Sequence, residues 1–129
     1  MSMGRNLIIR KAITSQISKV TNSVFYEHAN GNANYPHVVF IINDSFDDGT
    51  LEQVDMEVDF WDIPMNGSTV ALDQLVDEVD SKLHRFTYRE DGVFFRVLRE
   101  NRRTIRDTSD EKIRRRQMIY QIRMMGVGM

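Results

Sequence analysis

The chain has 129 residues, 41% of them hydrophobic and 28% charged, with a net charge of −2 and no cysteine. That is the size and composition of one ordinary soluble domain. It excludes a disulfide framework and a cysteine metal site, no apolar run approaches the roughly 18 residues of a membrane span, and the first ten residues hold too short an apolar run for a secretory leader. The charge is divided: residues 1–84 carry five Lys and Arg against thirteen Asp and Glu, whereas residues 85–129 carry twelve against six. An acidic and a basic surface are expected, neutralising one another within the fold or between subunits.

Residues 5–20 read as a helix, because Ile9, Ile13, Ile17 and Val20 recur along one stripe. Residues 22–28 read as a short strand with Val24 and Tyr26 on one face, followed by the Asn- and Gly-rich loop 29–34. Tyr35-Pro36 then opens a strand over 36–43 whose core, Val38 to Ile42, is continuously apolar. A short unbroken run of this kind predicts a strand covered on both faces.

Asn43 to Thr50 is a polar turn rich in Asp. It fails as a calcium loop, since counting from Asn43 puts Asp48 where the invariant glycine belongs and Val54 where the bidentate glutamate belongs. A hairpin loop accounts for it better and makes 36–43 and 51–62 antiparallel neighbours. The strand 51–62 alternates strictly: Val54, Met56, Val58 and Phe60 point one way, while Asp55, Glu57 and Asp59 form an acidic row on the other. Like charges two apart on one strand face repel unless water or a basic partner screens them.

Pro64 stops that strand, and Ser68 is placed to cap a helix over 69–85. Leu72, Leu75, Val76, Val79 and Leu83 form its apolar stripe, and Asp73, Asp77, Glu78 and Asp80 read as its solvated face. Strand material follows over 86–98, turning at Glu90-Asp91-Gly92. Residues 100–112 are almost wholly polar and include Arg102, Arg103 and Arg106; they read as a polar hairpin arm or a segment ordered by a partner. A last strand over 113–125 puts Met118, Tyr120, Ile122 and Met124 on one face and Arg115, Gln117, Ile119, Gln121 and Arg123 on the other. Its basic row is the natural counterpart of the acidic one, facing it within the sheet or across subunits, with a water-filled lumen as the third setting for the carboxylates.

No catalytic constellation emerges. His28, His37 and His84 have no ligand spacing, there is no nucleophile elbow, and the closing Gly126-Val127-Gly128 follows a strand rather than preceding a helix, so no phosphate loop is read there. No enzyme activity, metal or cofactor is expected. Thirteen arginines against four lysines favour planar recognition of carboxylate or phosphate. Nucleic-acid binding through the C-terminal arginines is the alternative from another class, weakened by the acids interspersed among them and by the lack of a base-stacking motif.

The expected fold is thus α+β: a single domain with a mostly antiparallel sheet and two amphipathic helices on it. The order of elements, with Asn34-Tyr35-Pro36 before a strand, Val58-Asp59-Phe60-Trp61-Asp62 closing the next, a helix from Leu72 to Leu83 and a long arginine-bearing final strand, resembles the tail-completion proteins of long-tailed bacteriophages, the tail-terminator or tail-to-head joining family. The resemblance implies a structural virion protein, assembled in the host cytoplasm into a homo-oligomeric ring, typically of six. Such a ring caps the tail-tube protein at the head-proximal end and meets the head connector, and DNA passes through without sequence-specific binding or any membrane. Asp55, Glu57, Asp59, Arg102, Arg103, Arg106, Arg115 and Arg123 are the candidate interface or lumen residues. Another head–tail connector or a tail-tube subunit is the nearest alternative.

Overall fold

The two periodicities build two layers. In the computed structural model, which describes residues 4–31, 33–43, 53–90, 92–105 and 112–124, the helices α1 (Arg5–Ser18) and α2 (Val70–Leu83) lie on one face of a six-stranded sheet. The strands are β1 (Val24–Tyr26), β2 (His37–Asn43), β3 (Gln53–Asp62), β4 (Thr87–Glu90), β5 (Val93–Ile105) and β6 (Arg114–Met124). Their order across the sheet is β1-β2-β3-β6-β5-β4. Only the β1–β2 pairing is parallel, so the α+β class and the mostly antiparallel sheet hold.

The core is where alternation and helical stripe meet. Ile9, Ile13 and Ile17 of α1 and Leu72, Val76, Val79 and Leu83 of α2 close over Val38, Phe40, Val58, Phe60, Tyr120 and Ile122, all buried, with Leu75 half-buried at the margin. Ser68 does accept the Val70 N–H at 3.3 Å, but the helix N-cap position is Thr69. Gly92 sits at φ +74 in the β4–β5 turn, a conformation that explains why glycine stands there.

Three expectations need correction. The apolar run of β2 is covered on one face only: Val38, Phe40 and Ile42 are buried under the helices, while Val39 and Ile41 are half-buried on the other face, which no described element covers. Strand β5 runs through to Ile105, well past the predicted end at 98. Its far half pairs with β6 down to Ile105↔Arg115, beyond a bulge between Arg99 and Asn101, so residues 100–105 belong to a hairpin arm. The acids of α2 are a solvated face only in part: Asp77 and Glu78 are exposed, but Asp73, Asp77 and Asp80 have arginine partners, described below. The Asp-rich turn after Asn43, Arg106 and the glycines of the C-terminal tail lie outside the described residues.

Candidate functional site

The uncovered sheet face is the surface on which the predicted site residues can be located. Register and alternation put Phe25, Val39, Ile41, Asp55, Glu57, Asp59 and Trp61 there from β1, β2 and β3. From the other half come Arg115, Gln117, Ile119, Gln121 and Arg123 of β6, Arg96, Leu98 and Arg103 of β5, and Arg89 of β4. Among the described residues, the register positions of β1, β2 and β3 on this face carry three carboxylates and no lysine or arginine, whereas those of β4, β5 and β6 carry five arginines and no carboxylate. The division of charge seen along the sequence thus becomes a division across the sheet.

The acidic row splits three ways. Asp59 is tied down inside the chain: its Oδ1 accepts from Arg115 Nε at 3.2 Å, Arg115 Nη2 at 2.9 Å and Gln117 Nε2 at 3.1 Å. Arg115 also lies over the Trp61 ring, 4.6 Å from its centroid. Asp55 stands opposite Gln121 and Glu57 opposite Ile119, and neither makes an ion pair among the described residues. Arg123 turns to Gln121 Oε1 rather than to a carboxylate. Sheet neighbourhood therefore brings the two rows together but satisfies only Asp59.

Replacing Asp59 with alanine is expected to cost about 2 kcal/mol, because Gln117, 7% exposed, is left with a donor that has lost its acceptor. Asp55→Ala should change stability by no more than about 0.5 kcal/mol. Urea unfolding of the two variants checks the contrast.

The arginines of the β5–β6 arm divide as well. Arg102 Nη1 reaches Asp77 Oδ1 at 2.8 Å, Arg116 Nε reaches Asp73 Oδ1 at 2.9 Å, and Arg99 pairs with Asp80, all on the helix side of the sheet. Those three carboxylates are among the four that the sequence assigned to water; the fourth, Glu78, is exposed. Arg103, one residue on, points to the uncovered face opposite Gln117 and makes no ion pair among the described residues.

Next to Asp59 the uncovered face opens into a recess of about 430 Å³ walled by Glu27, Tyr35, His37, Trp61 and Arg115. The His37 ring is buried against Phe25 and Tyr35. Burial lowers its pKa below the ordinary 6.5, partly offset by the bond to the Asn34 carbonyl at 3.2 Å. His28 lines the same recess, and His84 lies apart, where its Nδ1 accepts the Arg99 N–H at 2.9 Å. Among the described residues no group of three or more His, Asp or Glu side chains is placed to hold a metal ion.

No protein-family model matches the chain, and no curated protein matches its sequence. Among solved structures it is similar to a chain from the virion of a native gene transfer agent particle, with a TM-score of 0.69 at 9% identity, over 88% of this chain and 92% of that one. At that identity the likeness is one of fold.

Proposed function

We propose that the chain is a structural virion protein of the tail-completion type, forming a ring that caps the tail tube and offers its other surface to the head connector. The fold likeness to a virion component runs over nearly the whole of both chains, and the order of elements agrees with that of the tail-completion family. The observation that carries the assembly part of the reading is the charge division of the uncovered face. One lateral half is acidic and the other basic, so successive copies placed side by side bring unlike halves together. A head-to-tail contact of this kind closes into a ring when its rotation closes.

The same division speaks against a bare, uniformly acidic lumen. Asp59 is already neutralised by Arg115, and the five arginines share the face with the carboxylates. Asp55 and Glu57, on β3 and without an ion pair among the described residues, act through the long-range field of the acidic half on the neighbouring subunit's basic half. The nucleic-acid alternative needs the C-terminal arginines available, yet Arg99, Arg102, Arg115 and Arg116 are held by carboxylates of the same chain.

The test is the double variant Asp55→Lys/Glu57→Lys, which spares the structural Asp59. It is expected to remain folded, with its thermal midpoint within a few degrees of the parent, and to lack the high-mass species that the parent is expected to give by light scattering at low salt. Retention of the ring by this variant would remove the charge rows from the assembly. Tight binding of the parent to mixed-sequence DNA with a steep salt slope would overturn the structural reading itself.

A further inference from the structure

The two lateral edges of the sheet are unequal in a way that fits one to the other. At one edge, β4 pairs with β5 only from Val93 to Arg96. Val97 is served by Phe86 and Arg85, and the Arg99 N–H by His84. From Glu100 to Ile105, a span of about 20 Å, the outer edge of β5 has no strand partner among the described residues. The Arg102 N–H turns to the side chain of its own neighbour, Asn101 Oδ1, at 2.8 Å. At the other edge stands β1, three residues long. The Ser23 carbonyl and the Glu27 N–H are taken by β2, at 2.8 and 2.9 Å. By alternation the backbone groups of Val24 and Tyr26 therefore point away from the sheet. Beyond β1 the edge of β2 is closed by the Tyr26 hydroxyl, which accepts the Ile42 N–H at 3.1 Å.

These two open edges lie at the same height. Following the register across the sheet, Phe25 leads to Val39, Asp59, Gln117 and Arg103, Val24 leads to Thr104, and Tyr26 to Arg102. The strands β1 and β5 run in opposite directions. The residues whose backbone groups face outward match as well: Val24 and Tyr26 on one edge meet Thr104 and Arg102 on the other.

We propose that the subunit seam is a strand addition, in which β1 of one copy lies antiparallel along Glu100–Ile105 of β5 of the next, making one sheet continuous through the contact. The occupant of the β5 edge is a second copy of this chain, and two features select it. A ring whose axis runs along the strands has no rise between neighbours, and the shared height of the two edges supplies that. Charge agrees: in this register Arg103 sits beside Phe25 of its neighbour, two residues from Glu27, the exposed carboxylate that follows β1. The open edge of β5, an aggregation hazard in a monomer, is then the part of the surface that assembly consumes.

The proposal rests on the ring reading, and the experiment separates the two. The chain has no cysteine, so Phe25→Cys combined with Arg103→Cys places the only thiols at one rung. Directly opposed residues of an antiparallel pair have Cα atoms about 4.5–5.5 Å apart, inside the roughly 4.4–6.8 Å that a disulfide spans. Under oxidised glutathione the double variant should give a ladder of covalent multimers ending at the ring mass, and either single variant should give none.

As the second measurement, Arg103→Glu should raise the concentration of half-assembly at least tenfold without changing the thermal midpoint, and Glu27→Arg in the same chain should restore most of the loss. A ring that forms with no ladder from residue 103, or from cysteines at 101 or 105 instead, overturns the seam and leaves the ring standing. An Arg103→Glu variant that assembles within twofold of the parent overturns the charge pairing. A parent protein that stays monomeric at every concentration, alone and with tail tubes, overturns the ring and the seam with it.

Discussion

Phe60→Ala should remove about 3–5 kcal/mol of stability, a large share of the roughly 5–15 kcal/mol that a domain of this kind possesses. Phe60 is fully buried on β3, the strand between β2 and β6, with Val38 and Arg116 as its register partners. Removing the ring both returns less apolar area from water and leaves a void that α2 and the sheet, already joined by the Arg116–Asp73 pair, can close only in part. Met65→Ala is the control. That side chain is completely exposed in the β3–α2 loop, so its loss should stay within about 0.5 kcal/mol. In urea the Phe60 variant should shift its midpoint with little change of slope, which separates a loss of packing from a change in the denatured ensemble.

How much of this was legible in the sequence follows from where the signals are local. The alternation of Val54, Met56, Val58 and Phe60 and the stripes of Ile9, Ile13 and Ile17 and of Leu72, Val76, Val79 and Leu83 each announce one buried face, and each is buried. Strand β5 beyond Leu98 could not be read in the same way. Glu100, Asn101, Arg102, Arg103 and Thr104 are all exposed, so no apolar period marks the strand; β6 and the bulge hold it in the ladder. The unbroken apolar run of β2 misled in the opposite sense, because Val39 and Ile41 lie half-buried on a face the chain leaves uncovered. The arginine partners of the α2 acids were missed for a third reason, although Asp77 and Glu78 are exposed as expected. Asp73, Asp77 and Asp80 have the spacing of a wet helix face, and only the crossing of the β5–β6 arm beneath that helix brings Arg102, Arg116 and Arg99 to them. Pairing between elements far apart in the chain leaves no periodic trace in either one. The acidic row of β3 was legible as a row, but not its split into a bonded Asp59 and two carboxylates without an ion pair.

The acidic face of α2 yields the other large effect: Asp80→Ala should cost about 2–4 kcal/mol. The Asp80 carboxylate accepts from the hydroxyl of Tyr120 at 2.7 Å and from Arg99. Tyr120 is fully buried in the middle of β6, so without Asp80 its hydroxyl keeps a donor with no acceptor, a penalty of about 1–3 kcal/mol. A hydrogen bond to a charged group, worth about 1.5–3 kcal/mol, is lost with it. Arg99 is nearly half exposed and adds little once water screens it. Removing both partners should hurt less than the two losses taken together: Asp80→Ala/Tyr120→Phe leaves no orphaned hydroxyl, and a double-mutant cycle should show coupling of about 1–2 kcal/mol. A pH dependence accompanies it. Burial first, then the hydrogen bond to Asp80 and its charge, push the Tyr120 phenol far above its ordinary value of 10.0. A raised pKa in the folded state means that the stabilisation is complete below pH 10 and is lost as pH climbs above it, where the unfolded chain ionises its tyrosine and the folded one does not. Stability of the parent should therefore fall on the alkaline side of about pH 10. Tyr120→Phe, less stable at neutral pH, should show a shallower alkaline fall, read from thermal midpoints collected between about pH 8 and 11.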